Sequence, residues 1–228
     1  MSGEGAAATS DRVLLIDIEV IGDELFSVGC AFGCLVAARV GIGFTICERK
    51  RFVMPCDFPA RGDKGHGFWE RNRTVYDTLI QEAVDPQETA HAIDAWLQGI
   101  GAKYPGTIYA AANTSFDLGV LSEFLRYYGR EAMEQFRVGD DTTVYRETLD
   151  TRSWAKGVLA ATGRHVVPVH GIWQCVYQAL GLCLDQDGVA QPCMVNKFAH
   201  THIPDEDAAE ELCHYMYVKK KLLERARE

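Results

Sequence analysis

The strongest hydrophobic signal in the chain is its first. Arg12–Glu19 reads R-V-L-L-I-D-I-E, a solid apolar run that enters two acids, and it predicts a buried central strand. Leu25–Val36 predicts a second strand after a turn at Gly22-Asp23. Gly43–Met54 carries Phe44, Ile46, Phe52 and Met54 on one parity with charges between them, the pattern of a half-exposed strand or hairpin arm. Three strands with short connections predict an antiparallel meander.

The period then changes. Pro55–Gly67 reads as a loop. Phe68–Val84 and Pro86–Ile100 carry Trp69, Val75, Leu79, Ile80 and then Ala92, Ile93, Trp96, Leu97 at helical spacing. Asp85-Pro86 predicts a helix start, with Asp as N-cap and Pro at the first position. A strand is expected over Thr107–Ala112, a helix over Ser115–Tyr128 and a strand over Thr143–Leu149, with Asp150 or Thr151 capping the helix that follows. Val158–Pro168 gives no clear pattern. Helices are expected over Gly171–Leu182 and Pro204–Arg227. The order β-β-β-α-α-β-α-β-α-α-α implies an α/β fold, a mixed sheet with helices on its faces. No repeat or linker divides the sequence, so a single domain is expected over 12–228, behind a short disordered lead-in over 1–11.

Composition narrows the picture. At 228 residues, 47% hydrophobic and 24% charged, the chain reads as globular and long enough for a full core. No apolar run reaches the roughly 18 residues that span a bilayer, and the N-terminus is not basic then apolar, so no membrane or secretion signal is expected. The eight cysteines include no C-x-x-C pair, which argues against a structural zinc site. Buried, reduced thiols in an intracellular, cytoplasm-like reducing compartment are the expectation. The net charge of −9 argues against a protein that coats duplex nucleic acid by charge alone. It leaves room for an enzyme that holds phosphate through cations. Arg49-Lys50-Arg51 and Lys219-Lys220-Lys221 read as solvated faces, or as steering patches for a nucleic-acid strand.

Acids stand where burial is unfavourable. Asp17 and Glu19, at the end of the most apolar strand, share a face by the two-residue period. They repel each other unless cations intervene, or else they are solvated at a frayed strand end. Asn113-Thr-Ser-Phe-Asp117 follows an apolar strand and opens a helix, where Asp117 also reads as a first-turn acid. His202-Ile-Pro-Asp-Glu-Asp207 leads into the final helix, where an acidic first turn is common.

Taken together, D-x-E on a first strand, N-x-x-F-D at a strand-to-helix junction and H-x4-D at a late helix start resemble the DEDDh, or DnaQ-like, 3′→5′ exonucleases of the ribonuclease H-like superfamily. The resemblance runs from about Arg12 to Leu223. It implies a five-stranded mixed sheet, its second strand antiparallel, flanked by helices. It implies that Asp17, Glu19, Asp117 and Asp207 bind two divalent cations, Mg²⁺ or Mn²⁺, and that His202 is the general base. Histidine's ordinary pKa of about 6.5 suits that work. His200 with Asp205 has the same spacing, so the register stays open. His202 with Asp207 is preferred because Ala208-Ala209 resembles the small residue usual after the acid.

The sequence departs from the family at Val20-Ile21, where a Thr or Ser commonly follows the first Glu. The backbone N–H groups of Val20 and Ile21 remain as contacts for the terminal sugar. Asn113 and Phe116 are further expected substrate contacts, Phe116 either stacking on a terminal base or packing in the core. The stretch between Ala155 and His200 is longer than in compact members. The implied activity is metal-dependent hydrolysis of single-stranded DNA or RNA 3′ ends to nucleoside 5′-monophosphates. The alternative is a catalytically silent nucleic-acid-binding or scaffolding module of the same fold.

Overall fold

The computed structural model describes residues 12–20, 29–40, 43–63, 65–104, 107–130, 148–163, 171–182 and 201–227, with the backbone alone over 29–40 and 43–45. The expected lead-in over 1–11, Ile21, the turn at Gly22-Asp23, residues 25–28, 143–147 and 164–170, and His200 lie outside the described residues. So does most of the long stretch between 155 and 200.

Among the described residues, five strands form one sheet: β1 (Arg12–Val20), β2 (Gly29–Val40), β3 (Gly43–Val53), β4 (Ile108–Ala111) and β5 (Thr148–Asp150), in the order β3-β2-β1-β4-β5. β1 and β2 pair antiparallel with Leu15 opposite Leu35, and β2 and β3 continue the meander. β1 and β4 run parallel with Val13 opposite Ile108, and β4 and β5 run parallel with Tyr109 opposite Thr148. β1 is therefore central. That is why its residues from Val13 to Ile16 are apolar without alternation: both faces are covered.

Seven helices follow among the described residues: α1 (His66–Arg71), α2 (Arg73–Ile80), α3 (Pro86–Lys103), α4 (Thr114–Tyr127), α5 (Thr151–Ala161), α6 (Ile172–Leu180) and α7 (Pro204–Arg225). Leu14, Ile16 and Ile18 face α3 and α4, against Ile93, Leu97, Leu121 and Leu125. Val13 and Leu15 face α5, α6 and α7, against Leu159, Val176, Ala208 and Leu212. A smaller cluster of Val53, Trp69, Tyr76 and Leu79 ties α1 and α2 to β3. Strand parity then places Asp17 and Glu19 on the Val13–Leu15 face, toward α7.

Asp85 caps α3 as expected, accepting from the N–H groups of Gln87 at 2.9 Å and Glu88 at 3.3 Å, with Pro86 at the first position. Such a cap is worth about 1 kcal/mol. Asp150 caps α5, accepting from Ser153 N at 2.6 Å.

Two expectations are corrected. The single helix over Phe68–Val84 is two helices broken at Asn72, whose side-chain amide and backbone N–H both donate to the Phe68 carbonyl at 3.1 Å. The side chain competes with the helical ladder and turns the chain. The expectation of reduced thiols fails at Cys213, which is buried in α7 and disulfide-bonded. Among the described residues, no helix is long and apolar enough to cross a membrane.

Candidate active site

The end of β1 meets the start of α7. Glu19, His202 and Asp207 each offer an atom that can bind a metal ion, and these atoms lie within 4.8 Å of one another. His202 Nδ1 is 3.6 Å from Glu19 Oε1. Asp207 is 4% exposed and its carboxylate folds back onto the segment before the helix. Oδ1 accepts from Thr201 N at 2.8 Å and Thr201 Oγ1 at 3.0 Å, while Oδ2 accepts from His202 N at 3.0 Å. His202 has φ +58°, a left-handed conformation uncommon outside glycine. Its imidazole also meets the edge of Phe68, with ring centroids 4.7 Å apart. Phe68 is anchored by its neighbour Trp69, which is fully buried and donates its indole N–H to the Val20 carbonyl at 3.2 Å. One short helix thus grips both the end of β1 and the histidine.

Asp117 approaches from the first turn of α4. Its Oδ2 accepts from Asn113 N at 3.1 Å, and the Ile18 N–H is close enough to favour its charged form. The acid of the second cluster therefore lies against β1. Burial pushes its carboxyl up to about 7, and Glu19 adds to the rise. The two backbone N–H groups and Arg152 pull the other way. Asp17 retains some exposure as a residue, while its carboxyl group is buried. Burial raises its pKa well above the ordinary carboxylate range, followed by the charges of Asp117, Glu19, Asp207 and Glu211. The acids expected from the three sequence clusters thus act on one another here.

Asp205 does something else. It accepts from Arg49 Nε at 2.5 Å and pairs with Arg51 at 3.3 Å. Arg51 also makes two bonds to Glu82, at 2.9 and 3.0 Å. The arginines of Arg49-Lys50-Arg51 are therefore neither an open steering patch nor a merely solvated face; they fasten β3 to the first turn of α7. Lys220 and Lys221 pair with Glu224 on their own helix, at 3.9 and 3.5 Å. A rise of about 1.5 Å per residue puts Lys219 roughly 18 Å along α7 from Asp207.

Of the expected substrate contacts, Phe116 is 39% exposed on the first turn of α4, so it is not a core residue. Asn113 is exposed and makes no side-chain cap bond. The Val20 carbonyl is taken by Trp69.

Sequence reasoning missed Glu211. It stands one turn beyond Asp207 on α7 and is 7% exposed. It accepts from the Thr151 hydroxyl and from Trp173 Nε1, the latter at 2.8 Å. The available signal was the four-residue spacing from Asp207, which places both acids on one helix face. Phe68 was missed because its contact with His202 is long-range and carries no local pattern.

No protein-family model matches the chain, and no curated protein sequence matches it. Among solved structures, the chain is similar to "cell-death related nuclease 4 (CRN-4)", with a TM-score of 0.53 and 10% identity over 95% of this chain. The match spans 65% of that protein, so this chain accounts for less than two thirds of its neighbour's length. At that identity the likeness is one of fold.

Proposed function

We propose that the chain is a metal-dependent 3′→5′ exonuclease of the ribonuclease H-like, DEDDh type, acting on single-stranded nucleic acid as one catalytic domain over 12–228. The observation that carries this reading is the meeting of Glu19, His202 and Asp207, with Asp17 and Asp117 against them in a neighbourhood that raises both of their pKa values. The fold likeness to a nuclease supports it.

The donor set fits divalent cations. Carboxylate oxygens are hard ligands suited to Mg²⁺ or Mn²⁺. Buried like charges that repel one another in the protein alone become favourable around a cation. Asp17, Glu19, Asp117 and Asp207 would hold two such ions. When bound, they lower the pKa of a water and stabilise charge on the phosphate and the leaving oxygen.

The chain's own groups do the rest. His202 takes the proton of the attacking water. Glu19 Oε1, 3.6 Å from Nδ1, stabilises the imidazolium that results. Asp207 fixes the backbone of His202, and Phe68 limits the swing of its ring. Water oxygen bonds to phosphorus as the bond to the 3′ oxygen breaks, and that oxygen takes a proton from solvent. The products are a nucleoside 5′-monophosphate and a strand shorter by one residue. Phe116, exposed at the start of α4, offers a face for the terminal base, with Asn113 beside it. The backbone N–H groups of Val20 and Ile21 would receive the terminal sugar.

The test is digestion of end-labelled single-stranded DNA and RNA, side by side, with Mg²⁺, Mn²⁺ or EDTA. Stepwise release of monophosphates from the 3′ end, abolished by EDTA, is expected. Equal cleavage of a circular single strand would overturn the exonuclease reading.

A further inference from the structure

We infer that Glu211 is a positioning residue that sets the site's affinity for divalent cations by its negative charge, without ligating them. The inference rests on the metal-dependent reading above.

The geometry separates Glu211 from the acids that face the cluster. Its two carboxylate oxygens each accept from a different donor: Oε1 from the Thr151 hydroxyl and Oε2 from Trp173 Nε1 at 2.8 Å. Thr151 is fully buried at the start of α5, and its hydroxyl lies 3.3 Å from the Ala111 carbonyl at the end of β4. Trp173 is buried in α6 and stacks on His214, with centroids 5.6 Å apart and planes 17° from parallel. His214 Nδ1 in turn lies 3.2 Å from the Tyr177 hydroxyl. Glu211 is thus held from α5 and α6, on the side away from solvent.

Both of these donors are neutral. Among the described residues no cation pairs with Glu211, and the field of a buried carboxylate held by neutral donors reaches further in a low-dielectric interior. Asp17 is one of the groups that feels it. The bare protein bears that charge as a penalty, and a cation bound at the neighbouring acids relieves it. A neutral residue of the same shape would remove both the penalty and the attraction. Partners beyond the ligands themselves commonly shift metal affinity by about 10–100-fold.

Two variants separate charge from hydrogen bonding. Glu211→Gln keeps the shape and an acceptor but loses the charge. Glu211→Asp keeps the charge but shortens the reach to Trp173. Mn²⁺ binding is measured by calorimetry and by thermal shift in EDTA-treated protein, with wild type and Asp17→Asn alongside. The expected result is about 10–100-fold weaker Mn²⁺ binding in Glu211→Gln than in wild type. Without metal this variant should melt at or above the wild-type temperature, and its turnover should recover at saturating Mn²⁺. Glu211→Asp should bind Mn²⁺ more tightly than Glu211→Gln.

Wild-type affinity in Glu211→Gln, weaker binding in Glu211→Asp than in Glu211→Gln, or a metal-free Glu211→Gln protein less stable than wild type would each overturn the inference. Failure of the wild type itself to bind Mn²⁺ would instead overturn the metal-dependent reading.

Discussion

Asp207 accepts the backbone N–H of His202 at 3.0 Å, and among the described residues His202 is the one non-glycine residue with positive φ. The acid and the unusual backbone form a pair. The carboxylate at the head of α7 fixes a conformation that presents the imidazole to Glu19. A residue held in that region stores of order 1 kcal/mol or more, which the surrounding bonds must offset.

His202→Ala is expected to reduce turnover by about 10²–10⁴-fold while keeping Mn²⁺-induced thermal stabilisation. His200→Ala is expected to stay near wild type. Single-turnover cleavage of a 3′-labelled strand, with melting curves in Mn²⁺, checks both. Loss of the Mn²⁺ stabilisation in His202→Ala would make the imidazole a ligand rather than a base.

Asp17→Asn and Asp207→Asn should both abolish nuclease activity, but their metal-free stabilities should differ in sign. Asp17 is raised by burial and by four neighbouring acids, so neutralising it relieves repulsion. Asp207 accepts three bonds, and an amide nitrogen turned toward either N–H partner leaves a donor facing a donor. A loss of about 1–3 kcal/mol is expected there. Urea titrations in EDTA measure the difference.

Asp205→Asn provides the contrast. Its carboxylate is committed to Arg49 and Arg51, so Mn²⁺ affinity and turnover should change by a few-fold at most. Stability should fall by about 1 kcal/mol, because part of each arginine is solvated. Titrating Mn²⁺ against this variant tests the choice of Asp207 over Asp205. Complete loss of metal binding would reverse that choice.

Metal-free stability should fall as pH rises. Asp17 and Asp117 have folded pKa values above their unfolded ones, so the folded protein binds more protons than the unfolded chain in between. Their contribution is fully present below about pH 4 and is lost as pH rises through about 7 for Asp117. Within that window each proton released costs about 1.4 kcal/mol per pH unit. Denaturant midpoints in EDTA from pH 5 to 8 should decline, and Asp117→Asn should flatten the decline. Mn²⁺ should stabilise most at the alkaline end, where the acids are ionised.

What the sequence made legible was local or periodic. β1 announced itself because a strand covered on both faces needs no polar alternation, and Asp85-Pro86 marked the start of α3 because capping needs only adjacent residues. The two-residue period put Asp17 and Glu19 on one face. What stayed hidden was long-range. Nothing near Phe68 shows that its ring meets His202, and nothing near Arg49 shows that it holds Asp205. Glu211 was hidden differently: an acid on a helix reads as a solvated one until the buried Thr151 and Trp173 donors are seen. The break at Asn72 escaped because hydrophobic spacing runs through it, while one side-chain bond to Phe68 ends the helix.

The site joins the first described strand to the last described helix, which makes it a reporter of folding order. The β1–β2–β3 meander closes short loops and can form early, yet it carries only Asp17 and Glu19. Docking α7 closes a loop of nearly the whole chain, the slowest kind of contact to make. A half-folded molecule would hold a sheet, a partial core and no working centre. In a refolding experiment, recovery of secondary structure should therefore lead and return of hydrolysis should follow. The delay between them would clock the seating of the final helix.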